Sequence, residues 1–186
     1  MMLILALGAS VTFSSCSSDD DNGPVSSSIS DSEVSSGEYV DLGLPSGTLW
    51  ASRNIGASTI EEEGKHLTWD EANSKENLGE GWSLPCKEQM QELYDSKYTT
   101  LAWTSLNGVY GRHIKSKKNG NSIFLPVTEQ DQRTDFNGES NYWGSNDGDG
   151  VVDYPACVLF SYSGNIAVAK AAGSNPCCVR PVRTLH

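Results

Sequence analysis

Residues 38–58 read EYVDLGLPSGTLWASRNIGAS, and this stretch sets the pattern for the fold. Its short runs of alternating apolar and polar residues are interrupted at Gly43, Pro45 and Gly47. Such alternation is typical of half-buried strands, and glycine or proline between two runs is typical of a tight turn. The stretch therefore predicts strands joined by short turns at the start of a folded domain.

Helical signals follow this strand-rich start. Thr68 precedes Glu71 by three residues, which is the spacing of a capping box, and the short helix that begins there is expected to end before Gly79. After Pro85 the apolar residues recur with the spacing of one buried helix face, at Met90, Leu93 and Tyr94. The sequence therefore predicts two short helices in succession.

Strand signals return in the second half of the chain. Asn119-Gly120 lies between two extended runs and predicts a hairpin, and a second hairpin is predicted with its turn at residues 163–165. A final strand is predicted at CCVRPV, residues 177–182. Two consecutive helices within a chain of strands indicate an α+β fold and argue against a doubly wound nucleotide-binding fold.

Length and charge restrict the organisation and the partners. The 186 residues suffice for one compact domain after a leader and a tether are subtracted. The net charge is −11, and the densest basic cluster in the sequence is Lys115, Lys117 and Lys118 beside a turn. Because nucleic-acid binding needs many phosphate-neutralising side chains, nucleic acid is not expected to be a partner.

The N-terminus predicts export and attachment to a membrane. Residues 1–15 form an uncharged apolar run with a small-residue finish, which is typical of a signal peptide and too short to span a bilayer. Cys16 follows FSS and resembles the lipobox cysteine of bacterial lipoproteins, which is acylated. The alternative is an ordinary secretory peptide with an incidental cysteine.

Acidic and small residues follow Cys16. Asp19, Asp20 and Asp21 resemble the acidic export tag of surface lipoproteins of the Bacteroidota, although acids also keep a tether solvated. Residues 16–37 are predicted to be the lipidated cysteine and a disordered Ser-rich tether, because they carry too little apolar surface to fold. The domain is then expected at residues 38–186, on an outer-membrane lipoprotein exposed at the cell surface.

Six segments, in this order, resemble the Fibrobacter succinogenes major paralogous domain found in lipoproteins of the Bacteroidota. They are EYVDLGLPSGTLWA (38–51), TWDEA (68–72), GWSLPCKEQMQEL (81–93), NGNSIFLP (119–126), YWGS (142–145) and CCVRPV (177–182). That domain is similar to the formylglycine-generating enzymes, whose fold is C-type-lectin-like. The resemblance implies two short helices beside a small twisted antiparallel sheet, pairing of the first and last strands, and long loops on one face.

The cysteines indicate whether this chain shares the chemistry of the formylglycine-generating enzymes as well as their fold. Formylglycine-generating enzymes use a copper-binding pair of thiols, but Cys177 and Cys178 are adjacent and point to opposite faces of a regular strand, so they do not converge on one metal. Four cysteines remain after Cys16, and an exported domain favours disulfides, with three possible pairings. The resemblance, in which the closing strand often bridges back to the helical region, favours Cys86–Cys178 and Cys157–Cys177.

Aromatic residues beside turns are the candidate ligand-binding residues. Exposed rings stack on sugars or anchor protein partners, and the candidates are Trp103, Tyr142, Trp143 and Tyr154, with Asn146 beside them. Trp50, Trp69 and Trp82 are expected to fill the core instead.

The segment SNDGDGVVD, residues 145–153, partly resembles a calcium loop. Asp147, Asp149 and Asp153 occupy ligand positions, but Ser145 replaces the first Asp and Ala156 the bidentate Glu. The alternative is a cluster of turn residues. No cofactor is therefore expected, and calcium is the one candidate metal.

These features together predict a lipid-anchored, non-catalytic recognition module that binds a glycan or a protein through its loop face. The three histidines have no metal-ligand or hydrolase spacing and are assigned no chemistry. Two alternatives remain open, an oxidase of the formylglycine-generating type and a structural component of a surface assembly.

Overall fold

The computed structural model describes residues 28–30, 32, 34–127, 140–146, 156–162, 165–171, 173–174 and 176–184. These residues form an α+β fold with short helices and three small sheets. In chain order the elements are β1 Ser28–Ile29, β2 Tyr39–Asp41, β3 Thr48–Ala51, α1 Trp69–Ala72, α2 Lys75–Leu78, α3 Lys87–Glu92, β4 Thr99–Leu106, β5 Val109–Ser116, β6 Ser122–Pro126, β7 Ser140–Trp143, β8 Ala156–Tyr162, β9 Asn165–Ala171 and β10 Val182–Thr184.

The first predicted strands and the end of the chain form one sheet, in the order β10-β3-β2. Trp50 lies at the centre of the pairing, opposite Val40 on one side and Val182 on the other. The turn between β2 and β3 contains Gly43 and Gly47, both at positive φ, a conformation that glycine adopts without steric cost. The resemblance implied that the first and last strands pair. The last strand, which begins at Val182 and not at Cys177, pairs with β3, whereas the first strand, β1, pairs with β4.

The helical region contains three helices where two were predicted. Thr68 and Glu71 form the predicted capping box, but α1 ends at Ala72, with Asn73 as its C-cap. Ser74 then caps a new helix, with its Oγ accepting a hydrogen bond from the Asn77 N–H. The helix predicted after Pro85 is confirmed as α3. With six residues, α3 is the longest helix of the described residues. Among these residues, no helix is long and apolar enough to cross a membrane.

Both predicted hairpins are present. Strands β5 and β6 pair across Asn119-Gly120, and β8 pairs with β9 in register from Ala156–Ala171 to Tyr162–Asn165. A further hairpin, β4–β5, was not predicted. It turns at Asn107-Gly108, where both residues have positive φ, as a two-residue hairpin turn requires.

The main core lies between α3 and strands of all three sheets. Its members are buried side chains that come from distant parts of the chain: Val40, Leu42, Leu44, Trp50, Met90, Leu93, Ile114, Ile123, Leu125, Tyr142, Cys178 and Val182. A second cluster lies beneath α1 and contains Leu67, Ala72, Leu84, Trp143, Cys177 and Val179. Trp50 is buried as expected, whereas Trp69 and Trp82 are partly buried.

The domain was predicted to start at residue 38, but described residues before that position also pack on the domain. Ile29 lies in β1, which pairs in parallel with the end of β4, and the Ser35 N–H donates to the Ser122 carbonyl at 3.1 Å. Val34 is buried in a third cluster with Leu106 and Phe124. Burial of Val34, packing of Ile29 and main-chain hydrogen bonds to the strands together stabilise this segment, so described residues that composition marks as tether belong to the domain.

Candidate functional site

Two of the predicted ligand-binding rings lie in the core. Tyr142 and Trp143, in β7, are 2% and 0% exposed. The Tyr142 hydroxyl donates to the Pro126 carbonyl at 2.8 Å, and Trp143 Nε1 donates to the Leu67 carbonyl at 2.6 Å. The expectation that these rings are exposed is therefore wrong, because hydrogen bonds to main-chain carbonyls allow their polar atoms to be buried.

The remaining candidates in this loop are Asn146, Tyr154 and the three aspartates. Asn146 is exposed, next to Ser145, whose N–H donates to the Pro85 carbonyl at 2.8 Å. Tyr154 and the candidate calcium ligands Asp147, Asp149 and Asp153 lie outside the described residues. Within the described ranges no group of three His, Cys, Asp or Glu side chains is placed to hold a metal ion.

Tyr142 belongs to a buried polar network that the sequence did not reveal. Its centre is Arg180, which is 1% exposed and whose hydrogen bonds within the described residues go to amide and carbonyl oxygens. Arg180 Nε donates to Asn54 Oδ1 at 2.7 Å, and Asn54 Nδ2 in turn donates to the Tyr142 hydroxyl at 3.3 Å. Both guanidinium Nη atoms donate to main-chain carbonyls, namely those of Ala51, Ser52 and Phe124.

Burial accounts for the electrostatics of this network. Loss of solvation lowers the pKa of Arg180 to about 10, so that the side chain is still charged at neutral pH. The same cause raises the pKa of Tyr142, which keeps its phenol protonated. The hydrogen bonds of Arg180 join β3 and the residues after it to β6 and to the segment before β10. Since these partners all belong to the folded chain, the role of the network is structural.

The cysteines do not form the predicted Cys86–Cys178 disulfide. Both are free thiols, and Cys178 Sγ donates to the Glu63 carbonyl at 3.2 Å. That prediction is wrong because the two side chains serve different parts of the fold: Cys86 caps the start of α3, and Cys178 is buried in the main core. The side chain of Cys157, and with it the predicted Cys157–Cys177 bridge, lies outside the described residues.

The thiols have little nucleophilic character. Desolvation raises the pKa of Cys178 to about 12 and that of Cys177 to about 11, and it also raises the pKa of Cys86. Cys177 and Cys178 face different clusters, as expected from their adjacency. Since the thiolate is the nucleophile and the metal ligand, protonated and divergent thiols do not favour chemistry at this pair.

The last predicted ligand residue, Trp103, lies in an aromatic group on the hairpin β4–β5. Its partly buried ring stacks on that of Tyr110 with the centroids 6.2 Å apart and the planes 9° from parallel. The Arg112 guanidinium carbon lies 4.9 Å from the centroid of the Trp103 ring. We call Trp103, Tyr110 and Arg112 the aromatic platform.

Strand register explains how the platform forms. Arg112 is directly opposite Trp103, and Tyr110 is opposite Ser105, two residues further along, so the three side chains share one face. Farther along that face Ile114 pairs with Ile123 in the main core, which anchors the sheet beneath the platform. The platform therefore lies on the same face of the sheet as the core residue Ile114, nearer to the β4–β5 turn.

Burial also affects the pKa of the arginine in the platform. Arg112 is 9% exposed, and desolvation lowers the pKa of its guanidinium. A guanidinium against an aromatic face is favourable because the ring face is electron-rich, and its N–H groups suit hydroxyl or carboxylate acceptors. The platform thus combines flat apolar rings with a cation.

Sequence reasoning identified Trp103 but missed Tyr110 and Arg112. The sequence signal for these two residues is Asn107-Gly108, a dipeptide of the same type as Asn119-Gly120 at the next hairpin turn. A two-residue turn there places Trp103 opposite Arg112 by counting alone.

Comparisons of the chain with protein-family models, with curated proteins and with solved structures find no match.

Proposed function

We propose that the protein is a lipid-anchored, non-catalytic recognition module of the cell surface that binds a glycan or a protein through the aromatic platform. The observation that carries the proposal is the parallel, partly buried Trp103–Tyr110 pair beside Arg112. Rigid aromatic side chains supply a large contact area at a low entropic cost, and a flat pair suits the apolar face of a sugar ring. Glycan is accordingly the first class of ligand to test.

A C-type-lectin-like fold, similar to that of the formylglycine-generating enzymes, is part of the proposal. Its support is the order of six sequence segments, together with the pairing of β3 with β10 and the placement of short helices beside small sheets. The raised thiol pKa values give no support to an oxidase.

Attachment to the outer membrane, with exposure at the cell surface, is proposed from the sequence. Residues 1–15 have the composition of a signal peptide, Cys16 has the context of a lipobox, and three Asp residues follow. Acyl chains on one cysteine provide stable anchoring when more than one is present.

A glycan array probed with the full-length protein tests the proposal. Trp103→Leu keeps an apolar side chain but removes the flat ring, and we expect it to weaken binding about tenfold or more, in line with the loss of a stacking anchor. The matched control is Tyr39→Leu, which removes an exposed ring, 41% accessible, at a different surface.

Two outcomes would count against a glycan ligand at the platform. Equal binding by wild type and Trp103→Leu would remove the platform from the site. Absence of any glycan hit would favour a protein ligand or a structural role in a surface assembly. Repeating the array with calcium and with a chelator tests whether Asp147, Asp149 and Asp153 contribute a calcium-dependent site.

A further inference from the structure

A second surface feature, separate from the platform, is a groove of about 380 Å³ between three loops. It is lined by Gly43, Pro45, Lys97, Tyr98, Lys117 and Lys118, and we call it the lysine groove. Lys117 and Lys118 come from the β5–β6 turn that was the densest basic cluster of the sequence. The fold adds Lys97 from a loop that lies 20 residues earlier in the chain.

Hydrogen bonds hold the three loops together. The Lys117 N–H donates to the Tyr98 carbonyl at 2.8 Å, which joins the β5–β6 turn to the loop before β4. The side-chain amides of Asn119 and Asn121 donate to the Asp41 carbonyl at 2.9 and 2.8 Å, which joins the same turn to β2. The framework of the groove is therefore formed before any ligand is present, and binding need not pay for ordering these loops.

Each lysine is also positioned by a specific contact. Lys117 Nζ donates to the Ser96 carbonyl at 2.6 Å, and Lys97 Nζ lies 5.1 Å from the centroid of the Tyr98 ring. The stem of Lys118 passes over Gly43, where the Cβ atom of any larger residue would come within 2.9 Å of Lys118 Cδ. A glycine at residue 43 thus leaves room for the Lys118 side chain, which lines the groove.

The three ammonium groups have no carboxylate partner among the ion pairs of the described residues. The nearby carboxylates serve other groups: Asp95 Oδ1 accepts the Lys97 N–H at 2.8 Å, and Asp41 Oδ1 accepts the Gly43 N–H at 2.6 Å. These carboxylates form no ion pair with the three lysines within the described residues, and a bound anion would offset the mutual repulsion of the ammonium groups.

We propose that the lysine groove binds a phosphate group carried by a small organic molecule. Lysine binds tetrahedral oxyanions as a point charge, and three lysines match a doubly charged group. The Tyr98 ring and Pro45 provide an apolar wall for the organic part of the ligand. Three cations are too few for a nucleic acid, which agrees with the acidic composition.

Nuclear magnetic resonance titration of the full-length protein tests the groove, followed at the amides of Lys97, Tyr98, Lys117 and Lys118. The probes are glucose 6-phosphate, which represents a phosphorylated sugar, and glycerol 3-phosphate, which represents a lipid headgroup. Glucose is the uncharged control. We expect saturable shifts with at least one phosphate probe and none with glucose, and the probe that binds more tightly identifies the source of the phosphate.

Matched charge variants separate the groove from the overall charge. In Lys97→Gln/Lys117→Gln/Lys118→Gln we expect affinity to fall about tenfold or more, and in Lys118→Gln alone by a smaller factor. The control Lys65→Gln/Lys75→Gln/Lys87→Gln removes the same charge outside the groove and is expected to bind as tightly as wild type. Added salt is expected to weaken binding in wild type and in this control. Absence of shifts with both phosphate probes, or equal losses in the two triple variants, would overturn the proposal. The outcome is independent of the Trp103 experiments, because the two sites share no residue.

Discussion

Arg180 Nε donates a 2.7 Å hydrogen bond to Asn54 Oδ1 across 126 residues of chain. This contact ties the segment before β10 to the segment after β3, within a sheet that already joins the start and end of the domain. Asn54 Nδ2 also donates to the Glu63 carbonyl at 2.9 Å, so one amide connects three segments of the chain. The network has consequences for stability that are open to measurement.

Replacement of Arg180 by Lys should destabilise the fold by about 3 kcal/mol. Lysine keeps the charge but lacks the planar fork, and the buried carbonyls of Ala51, Ser52 and Phe124 then lose donors. Urea unfolding at neutral pH measures the change. Arg183→Lys is the control, because Arg183 is part-exposed and is expected to change stability by less than about 1 kcal/mol. Equal effects at both positions would contradict a special role for Arg180.

Alkaline pH should destabilise the protein through its buried thiols. The pKa values of Cys177 and Cys178 are raised from 9.0 to about 11 and about 12 by desolvation. Between pH 9 and these values the folded state holds protons that the unfolded state has released. The free energy of unfolding therefore falls as pH rises above about 9, by about 1 kcal/mol per thiol at about pH 10.

Urea midpoints at about pH 8 and about pH 10 measure this loss. Arg180, whose pKa is about 10, begins to titrate at the upper end of this range in wild type and variant alike, so the comparison between the two proteins isolates the thiol. Cys178→Ala should show a smaller loss between the two pH values than wild type, whatever its stability at pH 8. A loss of the same size in the variant would show that Cys178 does not titrate as its burial implies.

Val34→Ala should lower the free energy of unfolding by about 1.5 kcal/mol, because it removes two buried carbon groups. Val34 is 5% exposed and packs against Leu106 and Phe124. Ser32→Ala, at an exposed position two residues earlier, is the control and should be neutral within about 0.5 kcal/mol. If both changes are neutral, this segment does not dock on the domain.

Cys86 should react with a thiol reagent in the native protein, whereas Cys178 should react after unfolding. Cys86 is partly exposed and Cys178 is 0% exposed. Compared with wild type, Cys86→Ser should therefore lose one native-state reactive thiol, and Cys178→Ala should lose none. If Cys86→Ser had as many reactive thiols as wild type, and the intact mass of wild type showed a disulfide bond, the Cys86–Cys178 disulfide predicted from the sequence would be supported.

Cys16→Ser should abolish acylation and reduce the share of the protein that partitions with the envelope. Intact mass reports leader removal and acyl chains in the wild type, and fractionation reports the location of both proteins. Cys86→Ser is the control and should remain with the envelope. Complete retention of Cys16→Ser in the envelope would contradict lipid anchoring through this residue.

Local sequence patterns predicted most of the short-range structure. The capping box at Thr68, the helix after Pro85 and the turn at Asn119-Gly120 all depend on residues a few positions apart, and all are present. The β4–β5 hairpin carried an equally local signal at Asn107-Gly108. Trp103 could therefore be named from the sequence, and its partners Tyr110 and Arg112 were within reach of the same counting rule.

Exposure was decided by tertiary structure alone. Tyr142 and Trp143 follow a polar stretch that resembles an exposed loop, yet they are buried because Pro126 and Leu67, distant in sequence, supply acceptors for their polar atoms. Val34 is likewise buried against side chains distant in sequence, and Lys97 lines one groove with Lys117 and Lys118. The sequence by itself determined where the chain turns and caps its helices, since those preferences act within a few residues. The folded structure determined which side chains meet, because burial and proximity arise from packing between segments that no local pattern brings together.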